Sequence, residues 1–539
     1  MSSLSILDWV RICGCSGTLV RHGNWIVSSY PPPSYSLLLL IRNLLLATMG
    51  NIPSSPLQTC LLAAVAGNGS RVAFPSNPLY QIIAVHPYNL NIPVQPAAVT
   101  FPNSSVEVAK IVNCATRMGY KVQARSGGHS YGNYGAKTCP TMNSFWWVNG
   151  RVGLGGADGA IVVDMNNFRN FSTDPVTQVA TIGAGMPLKE VTERLHNAGQ
   201  RAMAHGICPT IGIGGHATIG GLGPTSRMWG MALDHVLEVE IVLANSTIIR
   251  ASATQNAEVL FAVKGAAASF GIVTEFKVRT EPEPGSAVEY SYTFLLGNAT
   301  SNTNLFKGWQ SMISDPNLSR KFASTFTVSQ GIAVISGTYF GTKAEFDVFR
   351  LEHRFPGSTN SSAVKFTDWL GLVSNWGEAL GLQLFGNIPA SFYSKSLSFS
   401  PQNLIPASGV DNLFQYLTTQ PSRALTWFVI FGLAGGSISD VPTNATAYAH
   451  RDSLYWMESY AITAGRVSQT TIDFLGGINT ILQTSLPGLD SGAYPGYVDP
   501  LLPAGQQAYW GSNLPRLQQI KVIIDPGDVF HNPQSVRPG

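Results

Sequence analysis

The sequence predicts an α+β protein of two unlike stretches. From about Val94 to Glu281, short β-rich runs alternate with amphipathic helices. From about Pro282, aromatic, Ser and Thr residues rise and polar positions alternate with apolar ones, as in Ser324–Val328 and Ile332–Phe340. That pattern predicts a second domain with an antiparallel sheet and covering helices. At 539 residues the chain is long enough for two such cores.

The elements follow in order. Ser104–Gly119 reads as a helix with Val106, Ala109, Ile111, Val112 and Ala115 on its apolar side. Lys121–Ala124 reads as a strand entering a glycine turn, with further strands at Ala160–Asp164 and Gln178–Ile182. Pro187 suits the first turn of a helix that Gly199 ends. Val236–Ala244 and Thr247–Ala251 read as strands joined by a turn at Asn245-Ser246. Asn513–Ile523 has helix character, and Asp525-Pro526-Gly527-Asp528 breaks it.

Bulk properties exclude several classes. Thirty-three basic residues face 30 acidic ones, a net charge of +3, so no basic field invites nucleic acid. No run of about 18 apolar residues predicts a transmembrane helix. Leu37–Ala47 is broken by Arg42 and Asn43, so residues 1–48 read as a disordered extension in preference to a poor leader. Met49 opens a plausible alternative start, after which Gly50 and Ser54 formally fit a myristoylation pattern. Eight Asn-X-Ser/Thr sequons tilt localisation slightly toward secretion, against the weak leader. The six cysteines are scattered rather than framework-like, and no His/Cys/carboxylate cluster has metal-ligand spacing.

Two glycine-rich strings carry the chemistry. One is Arg125-Ser126-Gly127-Gly128-His129-Ser130-Tyr131; the other runs from His205 through Cys208 to His216. With Val263–Phe276, Tyr494–Asp499 and Tyr509–Pro538, they stand in an order that resembles FAD-linked oxidases of the vanillyl-alcohol oxidase/p-cresol methylhydroxylase fold. Within that group the chain is most similar to the berberine bridge enzyme-like branch, which includes fungal glucooligosaccharide oxidases. The resemblance covers roughly Pro56 to the C-terminus. It implies a two-part FAD-binding domain of the PCMH type: residues 57–281, with the PCMH-type core at about 94–281, and a C-terminal segment, 482–539. An inserted substrate domain, 282–481, would roof the flavin with its antiparallel sheet.

The resemblance also implies site residues. His129 matches the attachment to the flavin 8α-methyl and Cys208 the attachment to C6, giving bicovalent FAD. Arg125, Ser126, Gly127, Gly128 and Ser130, with Gly214, Gly215 and Gly220, resemble cofactor-cradling loops whose backbone N–H groups face an anion. His216 is expected to face the pyrophosphate, and Ile272 lies in a further cofactor-contacting string. Tyr497 aligns with the catalytic base and Tyr131 with its partner across the pocket. A free tyrosine titrates near 10, so a nearby cation or hydrogen bonds would have to lower it. Gly496 stands where the family often has Asn. Ile211 falls beside the oxygen-reactive face of the flavin, leaving oxidase against dehydrogenase open. Cys60 and Cys114 match a disulfide pair, and His450-Arg451 a structural junction. Tyr455, Trp456 and Trp427 would form a sugar platform or, more commonly, core.

Residues 137–154 interrupt the family's text, as a retained intron in preference to a real loop over the site. The leading expectation is a monomeric FAD oxidoreductase that takes hydride from a sugar hemiacetal or secondary alcohol, with O₂ or another acceptor as oxidant. A specialised-metabolite oxidase or oxidative cyclase, and a catalytically silent flavin-binding protein, are the alternatives.

Overall fold

The computed structural model describes residues 55–133, 159–297, 299–384, 389–488 and 491–539. The expectations for 1–48 and for the 137–154 insert lie outside them. Pro56–Gly539 forms one compact unit. Among the described residues no helix is long and apolar enough to cross a membrane.

Helices α1 (Pro56–Ala64) and α2 (Ser105–Arg117) pack together, joined by the Cys60–Cys114 disulfide. The Ser104 side chain caps α2 by accepting the Glu107 N–H. The helix buries Val108, Ile111, Val112 and Ala115, an i, i+3, i+4, i+7 stripe. Val106, expected on that face, lies off the stripe and is exposed.

Two sheets build the first region. Strands β1 (Val72–Ala73), β2 (Ala98–Thr100), β3 (Val122–Arg125) and β4 (Ile161–Asp164) run in the order β1-β2-β4-β3, with β2 and β3 parallel to β4. Strands β5 (Phe171–Thr173), β6 (Ala180–Gly183), β8 (Val236–Val242), β9 (Ile248–Ser252) and β10 (Ile272–Val278) form an antiparallel sheet, β5-β6-β10-β8-β9. A short ladder pairs β7 (Arg201–Ala202) with β11 (Glu281–Pro282). Helices α3 (Leu188–Asn197), α4 (Ile213–Ile219) and α5 (Ala257–Ala266) lie in this region. Pro187 caps α3 from just outside it rather than occupying its first turn.

The second region is an antiparallel sheet of β12 (Ala287–Leu295), β13 (Thr325–Ser329), β14 (Ile332–Tyr339), β15 (Asn360–Phe366), β16 (Ser391–Phe399), β17 (Thr426–Leu433) and β18 (Tyr455–Thr463), ordered β15-β12-β14-β13-β17-β18-β16. Every second residue of its central strands enters one core with α6 (Ala299–Ile313), α8 (Ala407–Thr419) and α9 (Gln469–Thr484). Trp309, Phe414 and Phe474 are the helical side of that core; Phe326, Val429, Met457 and Leu397 are the sheet side. The opposite parity faces away from this core. Helix α7 (Trp369–Leu384) packs elsewhere, through Trp369 and Trp376.

The C-terminal segment returns to the first region. Val122 N–H donates to Val529 O (2.9 Å), and the Lys121 ammonium to Asp528 O (2.7 Å). These bonds cover the edge strand β3, which would otherwise present unpaired backbone groups. Helix α10 (Leu514–Ile524) shares a core with Phe261 of α5 and with Phe270. Its Lys521 is fully buried, donating to Asp525 (2.7 Å) and Ser269 O (2.6 Å).

Candidate active site

Two loops meet backbone to backbone at Gly127 and Gly212. The first leaves β3 at Arg125, whose guanidinium is buried against Asp164 (2.6 and 2.8 Å) and the carbonyls of Ala84 and Val85. The Arg125 side chain therefore anchors the strand end, leaving only its backbone to the cofactor-like loop. Ser126 Oγ donates to Ala184 O (2.6 Å). A Cβ on Gly127 would collide with Gly212 N and approach Thr210 O within 2.6 Å; one on Gly212 would collide with Ser126. Gly128 holds φ +75°, which glycine adopts without strain.

The second loop hangs on the N-terminus of α3. The Leu188 and Lys189 N–H groups, which have no partner inside the helix, donate to Ile211 O (2.9 Å) and Pro209 O (3.0 Å). Gly214 leaves no room for a Cβ beside Ala184 O, whereas Gly215 stands in open space. Gly220 takes φ +144° against the Tyr494 ring. His216 Nε2 accepts the Gly206 N–H (2.8 Å), and burial pushes its pKa down to about 3. Ile272 is buried in the core, and Ile211 packs against the core of the five-stranded sheet.

This interlocking brings His129 and Cys208 to one hydroxyl. Thr210 Oγ1 lies 2.9 Å from His129 Nε2 and 3.6 Å from Cys208 Sγ. Burial lowers the His129 pKa to about 4, so the imidazole is neutral at ordinary pH. Its ring also packs on Tyr88, 4.7 Å between centroids. Cys208 is buried and takes no part in a disulfide.

Above these loops lies the non-core face of β16–β18. Glu458 is its acid. Tyr131 and Ser394 hydroxyls each donate to Glu458 Oε1 at 3.2 Å, and Tyr497 also hydrogen-bonds this carboxylate. Burial raises Glu458 to about 7 despite those donors. Tyr131 and Tyr497 stack 6.0 Å apart, with Phe392 4.9 Å and Tyr460 5.8 Å from Tyr131. Both phenols are held well above their ordinary value, by burial first and the Glu458 charge second. Among the described residues, the charged group that bears on Tyr497 is the Glu458 carboxylate.

The loop bearing Tyr497 is clamped two residues on. Asp499, almost fully buried, accepts from Lys395 Nζ (2.6 Å) and Tyr393 OH (2.7 Å), both on β16. Gly496 is dictated locally: a Cβ there would approach the Tyr494 ring within 2.5 Å and Ile219 within 3.1 Å.

Of the aromatic residues considered as a sugar platform, Tyr455 and Trp427 lie in the helix-covered core, and Trp456 packs on His450 and Tyr494. Arg451 pairs with Asp234 (2.9 Å), fastening the junction. Sequence reasoning missed Glu458, Tyr460, Phe392, Tyr88 and Thr210. A lone acid at alternate register with tyrosine in Tyr455–Thr463 was the available signal for the first two.

The arrangement suits a flavin. Gly215 leaves open space on the second loop, Ala124 is exposed in an otherwise buried strand, and two nucleophiles converge on one point. No group of residues that could hold a metal ion occurs among the described residues.

Comparison with known proteins agrees. Residues 144–252 match the family described as FAD binding domain, and 493–537 the family described as berberine and berberine like. The chain is 40% identical over 491 residues to the FAD-linked oxidoreductase sorD of Penicillium rubens, covering 90% of this chain and 99% of that one. Xylooligosaccharide oxidase from Myceliophthora thermophila, solved with xylobiose, superposes with a TM-score of 0.79 at 28% identity, over 90% of this chain and all of that one. A structure of glucooligosaccharide oxidase from Acremonium strictum, described with 6-S-cysteinyl, 8α-N1-histidyl FAD, gives 0.78 at 26% identity and the same coverage. The chain belongs to the FAD-linked oxidoreductases of the oligosaccharide oxidase and berberine bridge enzyme-like family.

Proposed function

We propose that this oxidoreductase carries FAD attached at both His129 and Cys208 and oxidises the CH–OH group of a compact, largely apolar alcohol, with Glu458 as the base. The observation that carries the reading is a buried carboxylate near neutral pKa, bonded to Tyr131, close above the His129–Thr210–Cys208 cluster. In this reading residues 57–281 and 482–539 hold the cofactor, and 282–481 cover it.

Bound FAD supplies an acceptor for the hydride of the C–H bond. The protein supplies the rest. Backbone N–H groups of the glycine loops would hold the cofactor. Glu458, poised near 7, takes the alcohol proton, directly or through the Tyr497 or Tyr131 hydroxyl; a base with this value is half-formed at neutral pH and well matched to the task. The Lys395–Asp499 pair holds the Tyr497 loop against β16. Dioxygen or another acceptor then completes the cycle.

The substrate preference rests on the roof. The non-core positions of β16, β17 and β18 include Phe392, Phe428, Ile430, Tyr460 and Ile462, one acid, and no amide or basic side chain. Ser396 and Ser398 already bond Tyr494 N–H and Ser453. A pyranose bears a hydroxyl on nearly every carbon, and each one buried without a partner costs about 1–3 kcal/mol. An aromatic or unsaturated body instead stacks on the rings already there. The oligosaccharide reading is the second choice, favoured by the names of the sugar-oxidising relatives.

Anaerobic mixing with a panel of alcohols tests this. Benzylic and allylic alcohols are expected to bleach the flavin absorbance while cellobiose and xylobiose do not. Bleaching by the sugars alone overturns the apolar substrate. Bleaching by dithionite but by no alcohol overturns alcohol oxidation itself.

A further inference from the structure

Thr210 hydrogen-bonds His129 and lies within sulfur hydrogen-bond reach of Cys208, the two expected attachment residues. Its Oγ1 stands 2.9 Å from His129 Nε2 and 3.6 Å from Cys208 Sγ. Among the described residues His129 Nδ1 makes no hydrogen bond. A hydroxyl has one hydrogen to give and two lone pairs to receive. Nε2–H donating to Oγ1, and the hydroxyl hydrogen directed at Sγ, use that capacity in a single chain.

We propose that Thr210 is a positioning residue for flavin attachment, a proton relay that readies both nucleophiles at once. The proposal rests on the reading that His129 and Cys208 both bond FAD. Fixing the proton on Nε2 leaves the Nδ1 lone pair as the nucleophile. Donation to sulfur supports the thiolate, the reactive form of cysteine.

The balance of atoms gives such a relay two protons to carry. Forming the Nδ1–C8α bond breaks a methyl C–H bond, and the imidazole then sheds its Nε2 proton to stay neutral. Two protons and two electrons leave in all; the flavin ring takes the electron pair, and dioxygen carries it off as hydrogen peroxide. The Sγ–C6 bond repeats the balance: the thiol S–H and ring C–H bonds break, and a second dioxygen takes two electrons and two protons. The Nε2 proton in the first step is donated to Thr210 Oγ1; with Nε2 bare, the hydroxyl reverses, accepts the thiol proton for the second step and then donates to the thiolate. Neither can pass through a methyl group.

Thr210 is exposed and belongs to no helix or strand, so replacing it leaves the fold intact. Apo-protein of the full chain, made in a riboflavin-starved host, is mixed with FAD in air at several pH values. Intact and peptide masses of the denatured chain then report each bond with time. Thr210→Val is expected to bind FAD but to form both bonds roughly tenfold more slowly, with the cysteinyl bond shifted to higher pH. Thr210→Ser, which keeps the hydroxyl, is expected to restore rate and pH dependence. If Thr210→Val forms both bonds at the wild-type rate and pH, or Thr210→Ser is as slow as Thr210→Val, the relay is wrong. If wild-type protein releases all its flavin on denaturation, the attachment reading falls first, and the relay with it.

Discussion

The glycine loops at 125–130 and 206–215 and the sheet face formed by β16–β18 hold the candidate site from opposite sides and by opposite means. The loops work by lacking side chains. Gly127 and Gly212 bring two backbones into contact, which allows His129 and Cys208 to meet at Thr210. The sheet face works through the side chains it carries: Glu458, Ser394, Tyr460 and Phe392 converge from two neighbouring strands. The contacting glycines therefore admit almost no variation, whereas the sheet face can be retuned one residue at a time while the fold persists. That difference explains how one cofactor site can serve relatives whose names point to different substrates.

The harshest way to break the contrast is to add one methyl group. Gly127→Ala pushes a Cβ into Gly212 N, Thr210 O and Ile211 C, all backbone and unable to yield. The variant is expected to lose bound flavin entirely, read as the ratio of flavin to protein absorbance. Full flavin content would show that the loops are looser than their contact implies.

A smaller effect sharpens the other side. Lys395→Met leaves Asp499 buried without its cation, which costs about 3 kcal/mol. Denaturant unfolding followed by tryptophan fluorescence should shift accordingly, and turnover should fall as the Tyr497 loop loosens. Unchanged stability would mean that Tyr393 and the Leu501 N–H suffice for Asp499.

Glu458→Gln probes function against stability. Burial raises the Glu458 pKa in the folded protein to about 7, above its unfolded value. Such a group stabilises fully below the unfolded value, and that contribution is lost as pH rises through about 7. Near pH 8 the glutamine variant should thus be more stable than wild type, by on the order of 2 kcal/mol. Near pH 4 the two should unfold together. Equal stability near pH 8 would place the carboxylate in water.

The same contrast governs what the sequence reveals. The loops are legible because their residues are contiguous and their glycines answer a local steric demand. Their proximity to each other and the Cys60–Cys114 pair came from resemblance rather than from pattern. The sheet face is largely illegible: Tyr131 and Glu458 lie 327 residues apart, and Ser394 and Glu458 64 apart. Strand alternation predicts which residues share a face but not which face is covered by helices, so Tyr455 and Trp427 were candidates for a platform and proved to be core. Arg125 and His216 show a further limit. Their strings were cofactor-like, yet their side chains serve buried partners 39 and 10 residues away.

The central claim is that Glu458 takes the proton. It is tested most directly by the rate of anaerobic flavin reduction, measured across pH in wild type and in Glu458→Gln with whichever alcohol bleaches the flavin. The account predicts a wild-type rate that rises with pH to a plateau above about 7. It predicts a variant that holds its flavin but is reduced roughly 10²–10⁴-fold more slowly, without that limb. A variant reduced at the wild-type rate with the same pH dependence would contradict it and return the role of base to a tyrosine.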